Sequence, residues 1–337
     1  MFKKVLLISI LSIGLFANDS TKKENSSFLD DLVNEVSSVA DSDLTDKVKL
    51  ETMQDYIKNL KFDDKVDKSK YKVNLMGHYE NYMLLGGHSS TKLTEKHWDD
   101  GARDTSEDYE RDSNEAQFQL SIKTPLYNNF LGTGADLFTA YTQNSYWQVY
   151  DTQHSSPFRE TNYMPELFLE WQPDKKLGNS QLKQVRFALI HQSNGQDVGQ
   201  SRSWNRTEMF FLLQNDNINY GMHIWDRWDE DSKDTTNSQY PNVTEGDDNV
   251  GLEDYIGNQR YFVKYKSDNV NIMLVHQNDI LEYDRNKGNT KLDVTFPSIN
   301  SNFDFFIRYF TGYGESLIDY DVKIQRVSFG IMLSDWI

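Results

Sequence analysis

The stretch EAQFQLSIK, residues 115–123, indicates the fold class of this 337-residue chain, because its side chains alternate strictly in character. Its even positions are the apolar residues Ala116, Phe118, Leu120 and Ile122, and its odd positions are polar or charged. Successive side chains of a β-strand point to opposite faces of a sheet. The stretch is therefore predicted to be a strand with one apolar and one polar face.

Other parts of the chain repeat this alternation less regularly. They are residues 73–85, 135–148, 162–172, 182–193, 204–214, 217–228, 258–267, 269–278, 289–296, 303–311 and 326–333. Together with residues 115–123 they predict about twelve antiparallel strands. Short turns alternate with long acidic loops such as residues 229–249, an arrangement typical of outer-membrane barrels. From alternation alone, a soluble β-sandwich remains the alternative.

Two further features favour the barrel over the sandwich. Aromatic residues recur toward strand ends, as in the girdles at membrane interfaces: Tyr141, Tyr146, Trp147, Trp171, Trp204, Trp225, Trp228 and Trp336. The chain also ends on a predicted strand, as bacterial outer-membrane proteins do. We therefore predict an all-β fold, a twelve-stranded antiparallel transmembrane β-barrel.

The chain divides into three predicted regions. Residues 1–17 have the charged start and apolar centre of a secretory signal peptide. Residues 18–70 are acidic and polar, and we expect a short helical or disordered segment there. Residues 71–337 form the predicted barrel domain. Apart from the signal peptide, no apolar run approaches the roughly 20 residues of a spanning helix, so the mature chain is either soluble or crosses a membrane as strands.

Charge and cysteine content exclude several classes of function. The formal net charge is -17, whereas a protein that binds nucleic acid needs a basic face, so no nucleic-acid partner is expected. The chain has no cysteine, which excludes disulfides, a lipoprotein anchor and thiol catalysis. It also lacks the GxSxG and HExxH motifs of soluble hydrolases and zinc peptidases.

The segment HQSNG, residues 191–195, places polar side chains on an apolar face. His191 and Ser193 share the face of Leu189, and residues two apart on a strand lie roughly 6 to 7 Å apart. A hairpin centred near Val198 would place Asn205 opposite His191, where its amide could orient the imidazole. This arrangement predicts Ser193 as nucleophile, His191 as base and Asn205 as orienting residue. The alternative is three unrelated polar residues at a membrane interface.

Several segments resemble the bacterial outer-membrane phospholipase A family. They are HQSNG (191–195), SRSWNR (201–206), AYTQNSYWQ (140–148), SSPFRETNY (155–163) and GYGESLIDY (312–320). The resemblance extends over about residues 75–337. It implies a barrel in the bacterial outer membrane whose active site lies on the lipid-facing wall, at the depth of the substrate ester. The apolar residues on the same face as His191 would then surround the substrate.

The resemblance also implies an activity and roles for residues. The family hydrolyses acyl ester bonds of membrane glycerophospholipids, with phospholipase A1, phospholipase A2 and lysophospholipase activity. Its His, Ser and Asn match His191, Ser193 and Asn205. The backbone N–H of Gly195, together with calcium-bound water, would stabilise the oxyanion.

Calcium and a homodimer are further implications of the resemblance. The predicted Ca²⁺ ligands are the Ser201 hydroxyl, the Gln196 carbonyl and, from the second chain, Ser155. The family's common residue at the position of Gln196 is Arg, a change that a carbonyl ligand tolerates. Asp248 is a candidate ligand of a second calcium position, and Gln143 matches a glutamine that bonds across the dimer interface.

A passive porin or structural barrel with a vestigial site is the alternative from another functional class. A porin requires an open lumen. Several large polar side chains are predicted to point inward and to fill the lumen instead: Arg186, Gln192, Arg206, Glu208 and Arg326.

Overall fold

The computed structural model describes seven stretches of the chain: residues 75–91, 111–152, 155–196, 200–231, 246–279, 287–298 and 302–337. The predicted signal peptide and the acidic segment 18–70 lie outside the described residues, so both stay predictions. Residues 75–130 and 135–337 form one compact unit. Of the second unit, only residues 131–134 are described.

The compact unit is a closed antiparallel β-barrel of twelve long strands. They are β2 (Asn81–Ser89), β3 (Asn114–Tyr127), β4 (Asp136–Trp147), β5 (Phe158–Trp171), β7 (Ser180–Ser193), β8 (Ser203–Asn215), β9 (Ile218–Arg227), β10 (Gln259–Lys266), β11 (Asn271–Asn278), β12 (Asn289–Phe296), β13 (Asp304–Gly312) and β14 (Ile324–Ser334). Each long strand pairs with the next long strand along the chain, and β14 pairs with β2 to close the ring. The predicted strand number and fold class are confirmed.

Four short elements complete the described structure. The strand β1 (Met76–Gly77) pairs with β3, and β6 (Lys175–Leu177) pairs with β7. A 3-10 helix spans Phe130–Gly132, and helix α1 spans Leu252–Ile256. Within the described residues, no helix has the length and apolar character needed to cross a membrane.

The two faces of the barrel wall are reversed relative to a soluble protein. On β3 the polar side chains of Glu115, Gln117 and Ser121 are buried inside, whereas Leu120 is 49% exposed on the outer wall. The other strands continue this outer apolar surface with Leu167, Leu189, Ile224, Val263, Leu274, Phe305, Ile307 and Phe329. An apolar outer surface around a polar interior is the pattern of a barrel solvated by lipid.

Buried ion pairs fill the lumen. Arg159 donates two hydrogen bonds of 2.9 Å to Glu115 and also pairs with Asp319. Arg326 contacts Glu115 at 2.8 Å and Glu315 at 2.9 Å. These side chains are nearly inaccessible to solvent, and charges buried this deeply need such partners. A lumen packed in this way weighs against a passive pore, as the inward Arg and Glu side chains predicted.

The connection between β13 and β14, residues 313–323, folds into the lumen; we call it the inner loop. Its backbone N–H groups bond to side chains of β5: Leu317 N–H to Asn162 Oδ1 at 3.1 Å, and Ile318 N–H to Glu160 Oε1 at 3.2 Å. Asp319 of the same loop is buried against Arg159. The segment GYGESLIDY thus belongs to the interior of the barrel.

The aromatic-girdle prediction is wrong for three tryptophans and for Tyr146, which is buried and donates its hydroxyl to the Glu315 carbonyl of the inner loop. Trp204 and Trp225 are buried in a cluster with Leu252 and Leu317. Trp336 packs its ring against aromatic side chains of the interior, with Phe262 at a centroid distance of 5.3 Å. Trp204 and Trp225 lie on the inward-facing positions of β8 and β9, so strand parity identifies their orientation better than position near a strand end.

We expect Arg159→Met to lower the free energy of unfolding by about 3 to 5 kcal/mol, because it removes the shared partner of two buried carboxylates. Urea unfolding of the barrel in lipid vesicles, followed by tryptophan fluorescence, measures the effect. Lys183→Met is the control, because Lys183 pairs with Asp174 at the exposed surface and should cost less than about 1 kcal/mol. Equal losses in the two variants would contradict this assignment.

Candidate active site

The hairpin of β7 and β8 brings the predicted catalytic residues together at its open end. Its register pairs His191 with Asn205 and Ser193 with Ser203. His191 is exposed on the outer wall beside Leu189, while Ile190 between them is buried. The predicted pairing and orientation are both observed, although residues 197–199 at the predicted centre of the hairpin lie outside the described structure.

A hydrogen bond of 2.9 Å joins His191 Nδ1 to Asn205 Oδ1. An amide oxygen can only accept, so this contact assigns the ring proton to Nδ1 and leaves the lone pair on Nε2. The backbone carbonyl of Asn205 accepts a bond of 2.9 Å from the N–H of Trp228, which anchors this end of β8. His191 is therefore held in the tautomer that a general base needs.

Ser193 lies two residues beyond His191 on the same face of β7. It is half-buried, and β5 places Tyr163 beside it in register. Within the described structure, its hydroxyl makes no hydrogen bond to the His191 ring. Such bonds are commonly long in hydrolases without substrate and shorten in the reacting complex. Ser193 and His191 thus share one face of β7, as the sequence predicts.

Gly195 follows the strand in a conformation that favours glycine. Its φ is +64°, in the left-handed region. A Cβ at this position would lie 3.1 Å from Cε2 of Tyr163. The chain therefore turns sharply at Gly195, close to Ser193, where the predicted oxyanion donor belongs.

Oxygen atoms gather at the start of β8. Ser201 Oγ donates to Asp248 Oδ2 at 2.8 Å, and Ser203 Oγ lies 3.3 Å from the same oxygen. The neighbouring Asn249 is fully buried; its amide nitrogen donates to the Ser203 carbonyl, while its Oδ1 has no hydrogen-bond partner. Hydroxyl, carboxylate and amide oxygens are the donors that Ca²⁺ prefers, so this set fits a calcium ion.

The described ranges contain no group of three or more His, Asp or Glu side chains arranged to hold a metal ion. The oxygen set around Ser201 differs from such a group because it combines one carboxylate with neutral donors. Arg227 organises the nearby loop by donating to the Asn249 carbonyl at 3.1 Å and by pairing with Asp247.

Glu230 adds negative charge close to His191. Burial raises the pKa of the Glu230 carboxyl, Arg227 opposes that shift, and the nearby carboxylates of Asp247 and Asp248 add to it. Several acidic groups thus share a small region beside the candidate site. A region of this charge attracts cations.

The remaining predicted site residues make no hydrogen bond to this oxygen set within the described structure. Gln196 has an exposed side chain, and its backbone N–H bonds to Asn194 Oδ1 at 3.3 Å. Ser155 is exposed in the connection between β4 and β5. Gln143 is half-buried on the outer wall, where it accepts from Tyr141 and donates to Ser145, both at 3.2 Å.

Sequence reasoning missed three residues of the site. Ser203 lies opposite Ser193 and shares Asp248 with Ser201. Tyr163 packs beside Gly195. Asn194 is buried between Ser193 and Gly195, and its side chain bonds to both arms of the loop. The motif HQSNG contains Asn194, but the alternation of side chains along the strand could not predict its contacts, because β7 ends at Ser193.

A family model described as phospholipase A1 matches residues 58–333. Phospholipase A1 of Proteus vulgaris is 33% identical over 266 residues, which cover 78% of this chain and 86% of that protein. Phospholipase A1 of Klebsiella pneumoniae is 32% identical over the same shares of the two chains.

Solved structures are also similar. Outer membrane phospholipase A from Escherichia coli superposes with a TM-score of 0.67 at 29% identity, covering 78% of this chain and 100% of that one. A Salmonella typhi outer membrane phospholipase, described as a dimer with bound calcium, superposes with a TM-score of 0.66 at 29% identity, covering 78% and 93%.

We expect Gly195→Ala to destabilise the barrel by more than the roughly 1 to 2 kcal/mol of left-handed strain, because its Cβ also meets the Tyr163 ring. Gly178→Ala is the matched control, since Gly178 has a φ of +61° but open space around its Cβ. Urea unfolding of both variants isolates the contact with Tyr163. A loss in Gly178→Ala as large as that in Gly195→Ala would contradict the packing described here.

Proposed function

Because this chain belongs to the phospholipase A1 family, we propose that it hydrolyses glycerophospholipids with a Ser193–His191–Asn205 triad, with calcium, as a homodimer. The chain is a carboxylic ester hydrolase, and its barrel is that of a bacterial outer-membrane protein. The observation that carries the proposed triad is the hydrogen bond between His191 and Asn205 on the outer, lipid-facing wall.

The reaction begins with Ser193. His191 Nε2 accepts the hydroxyl proton as Ser193 Oγ attacks the ester carbonyl of a phospholipid acyl chain. The protonated His191 then donates this proton to the leaving alcohol, and the C–O ester bond breaks to leave an acyl-serine. Water, deprotonated by His191, then attacks the acyl group. The acyl C–Oγ bond breaks as His191 returns the proton to Ser193 Oγ, which releases the fatty acid and restores Ser193. Both A1 and A2 cleavage, and lysophospholipase cleavage, are the same chemistry at different esters.

Asn205 orients the base throughout. Its Oδ1 accepts from the Nδ1–H of His191 in the neutral ring and in the imidazolium. An amide places no full charge on the lipid-facing wall, where an ionised carboxylate would be costly. The geometry thus suits a base that works at the edge of a membrane.

Gly195 stabilises the charge that develops on the substrate oxygen. Gly195 adopts its left-handed turn two residues beyond Ser193, and the loss of one oxyanion donor typically costs about 3 kcal/mol of barrier. Calcium, when bound, supplies positive charge near the same oxygen. The residues that would hold it are Ser201 through its hydroxyl and Gln196 through its carbonyl, with Ser155 contributed by a second copy of the chain. Asp248 would hold the second calcium position through its carboxylate.

A polar row on the outer wall supports the proposed dimer. Gln143, Tyr141 and Ser145 bond to one another there, and Thr161 of β5 donates to Ser145 at 3.2 Å. Polar groups that face lipid are costly unless a partner covers them, and a second barrel would do so. The similar Salmonella typhi phospholipase is described as a dimer with bound calcium. Dimerisation would switch on an enzyme that otherwise endangers its own membrane.

We expect Ser193→Ala and His191→Ala each to lower kcat by about 10³-fold or more, because each removes one half of the nucleophile and base pair. Fatty-acid release from phospholipid in detergent micelles measures the rate. His276→Ala is the control, since His276 is also exposed on the outer wall and bonds across the strand pair to Thr290 at 2.9 Å. Activity that survives Ser193→Ala would eliminate the proposed triad.

A calcium titration tests the metal. Chelation should abolish fatty-acid release, and Ser201→Ala should raise the half-saturating calcium concentration about tenfold, because one oxygen donor is lost. Ser180→Ala, at the opposite end of β7, should leave that concentration unchanged. Full activity in the presence of chelator would refute the calcium dependence without affecting the assignment of Ser193.

A further inference from the structure

Asn194 clamps the two arms of the loop that carries the predicted oxyanion donor and calcium ligands. Its Oδ1 accepts from Arg202 N–H at 2.9 Å and from Gln196 N–H at 3.3 Å. Its amide nitrogen donates to the Gln200 carbonyl at 2.9 Å, and its backbone N–H donates to the Arg202 carbonyl at 2.9 Å. One buried side chain thus bonds to residues on both sides of the loop.

The amide of Asn194 also reaches the lumen. Its nitrogen lies 3.4 Å from Glu160 Oε2 on β5. The other oxygen of Glu160 accepts from Asn162 at 2.6 Å and from Ile318 N–H of the inner loop at 3.2 Å. Asn194, Glu160 and Asn162 are each at most 6% exposed. A continuous set of hydrogen bonds therefore connects the inner loop to the loop between β7 and β8, which we call the active-site loop.

The residues to which Asn194 bonds on the loop either carry a predicted role themselves or lie next to a residue that does. Asn194 itself lies between Ser193 and Gly195. Gln196 carries a predicted calcium-binding carbonyl, and Arg202 follows Ser201, which carries a predicted calcium-binding hydroxyl. Fixing the Gln196 and Arg202 backbone N–H groups fixes the separation of these two ligands. Asn194 touches neither the substrate nor the metal in this arrangement.

We propose that Asn194 and Glu160 are positioning residues for the reaction, with Glu160 orienting Asn194 from inside the barrel. This inference rests on the proposed calcium-dependent function. It predicts a division of effects: losing the Glu160–Asn194 contact separates the calcium ligands, while His191 and Asn205 keep their own hydrogen bond. The half-saturating calcium concentration therefore changes more than kcat at saturating calcium.

The test exchanges donors for acceptors at nearly constant shape. Glu160→Gln keeps an oxygen for Asn162 and Ile318 but turns an amide nitrogen toward the Asn194 amide nitrogen, so that two donors meet. Asn194→Asp keeps the oxygen that holds Arg202 and Gln196 but sets a carboxylate against Glu160. In the double variant Glu160→Gln/Asn194→Asp, the new amide donates to the new carboxylate, which restores this one contact.

Glu166→Gln is the matched control. Glu166 is a buried carboxylate on the same strand as Glu160, but it pairs with His78 at 3.1 Å, away from the loop. This control replaces a buried carboxylate that contacts a histidine, without touching Asn194. Its expected effect is lower barrel stability with an unchanged half-saturating calcium concentration.

Calcium titrations of fatty-acid release by the full-length protein decide the proposal. We expect each single variant to raise the half-saturating calcium concentration about tenfold, which corresponds to about 1.4 kcal/mol, and the double variant to recover part of that loss. Single variants that match wild type, or a Glu166→Gln shift of equal size, would overturn the positioning role. Wild-type activity that needs no calcium would instead overturn the proposed function, a result that is separately recognisable.

Hydrogen exchange provides a second measurement if a variant does not fold. The backbone amides of Gln196 and Arg202 in the wild-type protein should exchange slowly, because both donate to Asn194 in a buried site. Free exchange at these two amides would overturn the proposal by itself, and protection would support it.

Discussion

The structure depends on one constraint: a barrel surrounded by lipid must pair every backbone N–H and C=O group within its own wall. Closing β14 onto β2 satisfies it, because the ring then has no unpaired edge. The closed wall has only two faces, so alternate residues of each strand face either the lipid outside or the lumen inside. Leu120 faces the outside while Ser121 is fully buried inside, and the same division recurs around the ring. The polar interior and the apolar exterior are therefore one consequence of backbone pairing.

That division explains why the site has such unusual surroundings. The outer wall is where an acyl ester in a membrane can be reached, so polar catalytic groups must lie among apolar ones. The wall tolerates this at the ends of β7 and β8, where His191 and Asn205 satisfy each other and the chain leaves the strand. In the proposed triad, a neutral amide takes the place of the carboxylate common in soluble triads, because lipid penalises full charge.

Strand periodicity predicted most of the fold, and resemblance to a known family predicted most of the site. Alternation alone identified twelve strands and the pairing of His191 with Asn205, since both follow from residue spacing within one hairpin. The aromatic-girdle prediction failed for Trp204: its aromatic character suggested a membrane interface, although its parity on β8 pointed inward. Contacts between loops could not be predicted from strand periodicity. Ser201 and Asp248 form a hydrogen bond although they are 47 residues apart in the chain, and no local sequence pattern indicates that contact. Asn194 was overlooked for the same reason, because its partners lie beyond the end of the strand.

A wall one residue thick also couples its two sides. Residues that alternate along β5 face the lumen at Glu160 and the outer wall at Tyr163, so a group inside the barrel is never far from a group outside it. The inner loop uses this proximity: its backbone bonds to Glu160 and Asn162, whose side chains reach the base of the active-site loop through Asn194. Inside a soluble enzyme, this support would come from a packed apolar core. Behind this lipid-facing site, the buried apolar cluster that contains Trp204 and Leu317 is supplemented by buried hydrogen bonds from the lumen, which hold the loop in a defined position.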